Sequence, residues 1–132
     1  MPLYESKAIV SVEGMIGRLR RFTPYIDLVA IEMIQSYGRS VGRSTFTTAL
    51  VVGRLIQALY DKDYQGQIKL YSRPTIKGAL GGCKTDTDVH QALKIRYGEA
   101  RKGEKLEGVV RDIWSALALA VALEENPNMK TW

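Results

Sequence analysis

The sequence predicts an α/β domain, and three patterns of apolar residues support this class. Residues 27–33 carry an apolar run, two of its members β-branched, that leads into Glu32, which is typical of a short strand buried on both faces. Residues 67–71 alternate between polar and apolar side chains and predict a second strand. Apolar residues at helical spacing surround both strands. This order predicts two parallel strands joined by a right-handed crossover.

Two helices are predicted in the first half of the chain. The first covers residues 7–22, and the second begins at a cap provided by Ser44 or Thr45 and continues to about Tyr60. Gly53 lies in the middle of the second helix, where glycine is less stable than alanine by about 1 kcal/mol. We therefore expect Gly53 to pack closely against another backbone.

Three further helices are predicted after the second strand. A short helix begins near Pro74 and ends at a Gly-Gly pair, and the next one opens in the stretch 85–88, where acids suit the first turn. The last helix, residues 107–125, is the most apolar and should lie deep against the sheet. The charged segment 98–108 between these two helices is expected to be a solvated, mobile loop.

Composition and charge restrict the classes of function. With 132 residues, 45% hydrophobic and 25% charged, the chain is expected to form one soluble globular domain. Its net charge of +5 indicates a polyanionic partner. One Cys and one His exclude an internal disulfide and a zinc site, and they fit a reducing, cytoplasmic compartment. No apolar run is long enough for a membrane span, and the N-terminus lacks a signal-peptide core.

Glu32 is the first candidate functional residue, because ligand and catalytic groups in open α/β sheets collect at the carboxyl ends of strands. The alternative is that Glu32 is only the polar end of its strand. The Gly-, Arg- and Ser-rich loop that follows could hold a phosphate backbone through Arg39, Arg43 and backbone N–H groups. Asp112 is conspicuous in the apolar last helix, although it could merely favour the helix N-terminus electrostatically. His90 is expected to be exposed or partly packed rather than catalytic.

In order and spacing, these motifs resemble the RuvC family of Holliday-junction resolvases, particularly its short phage-type members, within the ribonuclease-H-like superfamily. Val29–Glu32 is similar to the family's central strand, which ends in the second catalytic acid. Tyr71–Lys77 is similar to its strand followed by Arg-Pro-x-x-Lys, and Asp112–Ala120 to its last catalytic helix. The resemblance covers about 27–123. It implies a single RuvC-type nuclease domain, a mixed sheet with flanking helices.

The resemblance also implies a function. The protein would be an Mg²⁺-dependent endodeoxyribonuclease, with Mn²⁺ as a substitute, that resolves four-way DNA junctions as a homodimer in recombination, repair or phage DNA processing. Glu32 and Asp112 would be metal ligands, and Lys77 would offset the charge of the scissile phosphate. The implied DNA-binding residues are Tyr37, Arg39, Arg43, Arg73 and Lys77. Tyr37 would stack on a base opened at the junction, with packing inside the protein as the alternative.

The sequence departs from the family pattern in two places. The family begins with a strand that carries an Asp-Pro-Gly-like motif and continues into a β-hairpin, and nothing before Asp27 resembles it. We therefore expect an N-terminally truncated version of the fold. The last acid of the family falls on Ser115, so two of four expected carboxylates can be assigned, and we expect weak cleavage or none. The alternatives are a non-catalytic nucleic-acid-binding module or an oligomerisation module on the same scaffold.

Overall fold

The computed structural model describes residues 26–34, 40, 42–110 and 112–132, and of Asp112 it describes only the backbone. The elements within these ranges are β1 (Leu28–Met33), α1 (Arg43–Asp61), β2 (Gln67–Ser72), α2 (Arg73–Ala79), α3 (Asp86–Tyr97) and α4 (Asp112–Glu125). The two strands form a parallel sheet, which confirms the predicted α/β class. The helix predicted at residues 7–22 lies outside the described residues. The ribonuclease-H-like topology stays an expectation.

The chain divides into two compact units, which we describe separately. The strand unit contains the described residues from Ile26 to Ser72, with β1, α1 and β2, together with Thr131 and Trp132. The helical unit extends from Arg73 to Lys130 and contains α2, α3 and α4.

The strand unit is built around the pairing of β1 with β2, in which Leu28 lies opposite Gln67 and Met33 opposite Ser72. Leu59 at the end of α1 and Tyr64 in the following turn form its core, and both are almost completely buried. The partly buried apolar residues that pack against this core are Ile26, Val29, Leu55, Ala58 and Ile68. The core therefore joins the end of α1 to both strands.

The predicted burial of β1 on both faces is wrong, because all six of its residues are partly exposed. The part of the strand unit that the structure describes has two strands, with α1 packed on β1. A strand becomes buried on both faces only when layers cover the sheet on both sides.

Two predictions about α1 are also wrong. The helix begins after Gly42, whose carbonyl oxygen accepts hydrogen bonds from the backbone N–H groups of Thr45 and Phe46 at 3.1 and 3.4 Å. Ser44 and Thr45 therefore lie inside the first turn rather than at the cap. Gly53 is exposed, and a Cβ added there would meet no described atom within 4 Å. Gly53 is thus not a site of close backbone packing within the described residues.

The helical unit follows its predicted order. α2 ends at Gly81 and Gly82, whose φ angles of 103° and 79° lie in the left-handed region that favours glycine. α3 begins with a capping box, in which the Thr85 hydroxyl accepts from the backbone N–H of Asp88 and the Asp88 carboxylate accepts from that of Thr85. α4 packs against both α2 and α3 and buries most of its apolar residues.

The segment before α4 differs from its prediction. α4 begins at Asp112 rather than at residue 107, and the preceding residues form turns. Most of the segment is exposed, but Leu106 is completely buried, and Val109 is 3% exposed. The prediction of a solvated loop is therefore wrong at Leu106, which fixes the segment to the core. Across the described part of the chain, no helix combines the length and apolar character needed to cross a membrane.

Candidate functional site

Glu32 lies at the carboxyl end of β1, as the sequence predicts. It is the fifth of the six strand residues, it is half-buried, and the parallel register places it beside Tyr71 of β2. Because both strands run in the same direction, their carboxyl ends share one edge of the sheet. Glu32 therefore occupies the edge of the strand unit where α/β proteins gather functional groups.

Two of the predicted phosphate-binding residues, Arg73 and Lys77, lie together on α2, one helical turn apart. Both approach the same carboxylate oxygen: Lys77 Nζ is 3.2 Å and Arg73 Nη1 is 3.7 Å from Asp86 Oδ1. The Lys77 side chain is 18% exposed, whereas Asp86 is 67% exposed. We call Arg73, Lys77 and Asp86 the charge cluster of the helical unit.

The turn between α2 and α3 produces this cluster. The backbone N–H of Gly82 donates to the carbonyl of Gly78 at 3.1 Å, and that of Cys83 donates to the carbonyl of Lys77 at 3.0 Å. These bonds close the turn after α2 and bring the first residue of α3, Asp86, back to Lys77. The turn at the Gly-Gly pair thus places Asp86 beside Arg73 and Lys77.

The electrostatics of the cluster favour an ionised carboxylate. The hydrogen bond from Lys77 is the main cause that lowers the pKa of Asp86. Burial opposes it, and the nearby charges of Lys77 and Arg73 lower the pKa further. Since Asp86 is largely exposed, solvent screens these interactions and their contribution to stability is small.

The sequence prediction missed Asp86, which it treated only as an acid in the first turn of a helix. Asp86 follows Lys77 by nine positions, and no helical or strand periodicity connects residues across a turn. One signal was present in the sequence: a Gly-Gly pair lies between a helix with basic residues and a helix that begins with acidic residues. Such a pair indicates a tight turn, which would bring the basic and acidic residues close together.

His90 is partly packed, as predicted. Its ring stacks on Trp114 of α4, with ring centroids 4.4 Å apart and planes inclined by 22°. Trp114 is 9% exposed, and His90 is partly exposed. The pair joins α3 to α4.

The remaining predicted site residues are distributed over the chain. Arg43 is the first residue of α1 and is exposed, and Asp112 is the first residue of α4. Tyr37 and Arg39 lie outside the described residues, as does the side chain of Asp112. Glu32 and Arg43 belong to the strand unit, whereas Arg73, Lys77 and Asp112 belong to the helical unit.

A magnesium site needs several oxygen ligands, and Mg²⁺ binds through a few carboxylates while keeping most of its waters. Among the described side chains, no group of three or more His, Cys, Asp or Glu residues is placed to hold a metal ion. The described donors therefore do not complete a metal site.

An open polar groove lies at the other end of the strand unit, where β1 and β2 begin. Its volume is about 650 Å³, and it is lined by Ile26, Asp27, Lys62, Asp63, Gln65, Gly66 and Gln67. It is separate from the Glu32 end of the sheet, because Asp27 and Gln67 lie at the starts of the two strands.

Comparisons with protein-family models, with curated proteins and with solved structures each find no match to this chain.

Proposed function

We propose that this chain is a RuvC-type nuclease domain that binds four-way DNA junctions and cleaves them with Mg²⁺. One observation carries the proposal: the strand that ends in Glu32 pairs in parallel with β2, and β2 continues directly into the helix that holds Arg73 and Lys77. An acid at a strand end and a basic helix after the neighbouring strand are the features expected of a phosphodiesterase on an α/β scaffold. The net charge of +5 supports a nucleic-acid partner.

Each residue has a defined role in this proposal. Arg73 and Lys77 bind backbone phosphates and compensate their negative charge, with Arg43 as an additional exposed contact. Glu32 and Asp112 are the acids that the resemblance assigns to Mg²⁺, and the chemistry that such an ion would supply is an activated water and charge compensation. With two assigned carboxylates, we expect slow cleavage.

Junction binding and cleavage by the full chain test the proposal. Wild-type protein should bind a synthetic four-way junction more tightly than a duplex of equal length, and it should cleave the junction slowly in Mg²⁺. Glu32→Gln should abolish cleavage while leaving binding within about twofold. Glu124→Gln is the matched control, because Glu124 is an exposed acid near the end of α4. Equal loss of cleavage in both variants would refute the role of Glu32.

The second candidate is a non-catalytic nucleic-acid-binding module. The incomplete set of described metal donors favours it, since the charge cluster can bind phosphates without an ion. In that case EDTA and Glu32→Gln would leave junction binding unchanged, and no cleavage would appear even after long incubation. Binding would still weaken steeply with salt, because phosphate contacts release counterions.

We further propose that the protein acts as a homodimer in which two copies of α1 meet. Large apolar residues are exposed on one face of this helix: Phe46 is 61%, Leu50 is 69% and Tyr60 is 55% exposed. Together with Gly53 they follow a heptad-like spacing, which places them along one stripe. Gly53 at the middle of the stripe has no side chain to hold a second helix away.

The charges at the ends of α1 support a second copy as the occupant. Arg43 begins the helix and Asp61 ends it, so an antiparallel arrangement brings Arg43 of each copy to Asp61 of the other. Such a contact is self-complementary, as a twofold interface requires. Phe46 and Tyr60 also exchange places across this axis, since they lie equally far from Gly53 in sequence.

Sedimentation equilibrium tests the dimer. Wild type should sediment as a dimer and Leu50→Glu as a monomer, while Ile95→Glu should stay dimeric. Ile95 is the control because it is a large apolar residue, 82% exposed, that belongs to α3 and not to the α1 stripe. A wild-type monomer at all concentrations, or a dimer that Leu50→Glu leaves intact, would contradict this interface.

A further inference from the structure

We propose that Asp86 is an intramolecular competitor for phosphate, a residue that occupies the cations of the charge cluster until a nucleic-acid phosphate displaces it. This inference rests on the proposed DNA-binding function and adds a residue that sets the affinity of the same site. Without Asp86, Lys77 would be available to bind an anionic ligand on this face of α2.

The geometry supports competition because both cations converge on one oxygen atom. Asp86 Oδ1 lies 3.2 Å from Lys77 Nζ and 3.7 Å from Arg73 Nη1. A phosphate oxygen held by the same two groups would occupy the same position, since carboxylate and phosphate oxygens accept from Lys and Arg at similar distances. The anion that contacts Lys77 and Arg73 in this structure is therefore the carboxylate of Asp86.

The exposure of the side chains indicates which partner can leave. Lys77 is 18% exposed and is held along α2, whereas Asp86 is 67% exposed at the start of α3. An exposed ion pair is weak, so a phosphate with more negative charge can replace the carboxylate without opening the core. Asp86 can then turn into solvent.

The cap of α3 does not use the Asp86 carboxylate. The start of α3 is fixed by the capping box between Thr85 and Asp88, in which Asp86 takes no part. Asp86→Asn therefore keeps the size of the side chain and the helix cap and removes the negative charge. This makes it a specific test of competition.

The first arm of the experiment measures phosphate binding without DNA. Inorganic pyrophosphate is titrated into wild type and Asp86→Asn, and the NMR signals of the Lys77 side chain are followed. Asp86→Asn should lower the Kd for pyrophosphate by about twofold to fivefold, the range expected when one exposed ion pair no longer has to be broken. Glu99→Gln is the matched control, because Glu99 is an exposed acid paired with Lys94 at 3.5 Å.

The second arm measures junction binding between 50 and 200 mM salt. Asp86→Asn should bind more tightly than Glu99→Gln, although both variants gain the same net charge. Its plot of log affinity against log salt should also be steeper by up to about 0.9, the value for one additional phosphate contact. Lys77→Met in the Asp86→Asn background should remove the gain, since the released cation is then missing.

The outcomes separate the two proposals. Equal pyrophosphate affinity in wild type and Asp86→Asn, or no pyrophosphate binding at Lys77 in either, overturns the competitor role. Absence of junction binding in every variant overturns the proposed function, and the pyrophosphate arm still decides on Asp86. A gain of the same size in Glu99→Gln would show a general effect of net charge and would likewise overturn the role of Asp86.

Discussion

The substitution of glycine by alanine should change stability in opposite directions at Gly66 and at Gly53. A Cβ at Gly66 would overlap the phenol of Tyr64 and would lie 2.8 Å from the carbonyl oxygen of Asp27. A Cβ at Gly53 would meet no described atom within 4 Å. One added methyl group therefore enters a filled space in the first case and an open one in the second.

The expected magnitudes follow from these surroundings. Tyr64 is 5% exposed and packs with Leu59, and its hydroxyl donates to the carbonyl oxygen of Gln67 at 3.2 Å. Its ring cannot move aside without opening the core, so Gly66→Ala should cost about 1–3 kcal/mol. In the monomeric Leu50→Glu background, where no second copy approaches α1, Gly53→Ala should stabilise the chain by about 0.5–1 kcal/mol, because alanine restricts the unfolded chain and favours the helix.

Urea denaturation followed by far-UV circular dichroism measures both changes. Each kcal/mol should also move the thermal midpoint by roughly 3–5 °C in a chain of this size. In the Tyr64→Phe background Gly66→Ala should cost less, since the hydroxyl is one of the atoms it overlaps. If Gly66→Ala is as stable as wild type, or if adding Gly53→Ala to Leu50→Glu lowers the stability of that monomer, the packing described for the strand unit is incorrect.

Three further predictions concern the helical unit. Thr85→Ala removes the cap of α3 and should lower the free energy of unfolding, measured by urea denaturation, by about 1 kcal/mol. Thr87→Ala is the control, because Thr87 is exposed inside the same helix. Leu106→Ala should cost about 2–5 kcal/mol in the same assay, because the side chain is completely buried; a cost below 1 kcal/mol would contradict its burial. The hydrogen bond from Arg96 lowers the pKa of Glu125 below its ordinary 4.5. The pair therefore stabilises the fold above pH 4.5, and this contribution is lost as the pH falls through the lowered pKa. Glu125→Gln should therefore be less stable than wild type by under about 1 kcal/mol at pH 7 and equally stable near pH 2, as thermal melts across this range would show.

The elements of the fold that the sequence predicts well are those with a local signal. β1 and β2 come from a β-branched apolar run and from strict alternation, and both have nearly the predicted bounds. The end of α2 comes from Gly81-Gly82, which the positive φ angles explain. In each case the residues that determine the structure are neighbours in the chain.

The features that the sequence did not predict depend on contacts between distant residues. Leu106 is a single apolar residue among charged ones, so no periodic pattern shows that it enters the core. Gly53 appeared to require a packing partner, yet its position on the exposed face of α1 becomes visible only when the helix is oriented on β1. The burial of β1 likewise depends on the layers that cover the sheet.

The residues of the candidate site divide in the same way, into those that local sequence predicts and those that depend on contacts across a turn. The position of Glu32 at a strand end follows from local sequence, and so does the placement of Lys77 on the short helix after β2; the helix begins one residue earlier than predicted, at Arg73. Asp86 does not, because its meeting with both cations requires the closed turn between α2 and α3. Local sequence thus predicts the cations but not the acid that pairs with them.

The most direct test of the proposed function is cleavage of a fluorescent four-way junction by wild type and Glu32→Gln, measured in Mg²⁺ and in EDTA. We predict slow strand cleavage near the crossover point that requires both Mg²⁺ and the Glu32 carboxylate, with junction binding retained in the variant. Cleavage that continues in Glu32→Gln, or a wild-type protein that binds duplex as tightly as the junction, would contradict the proposal.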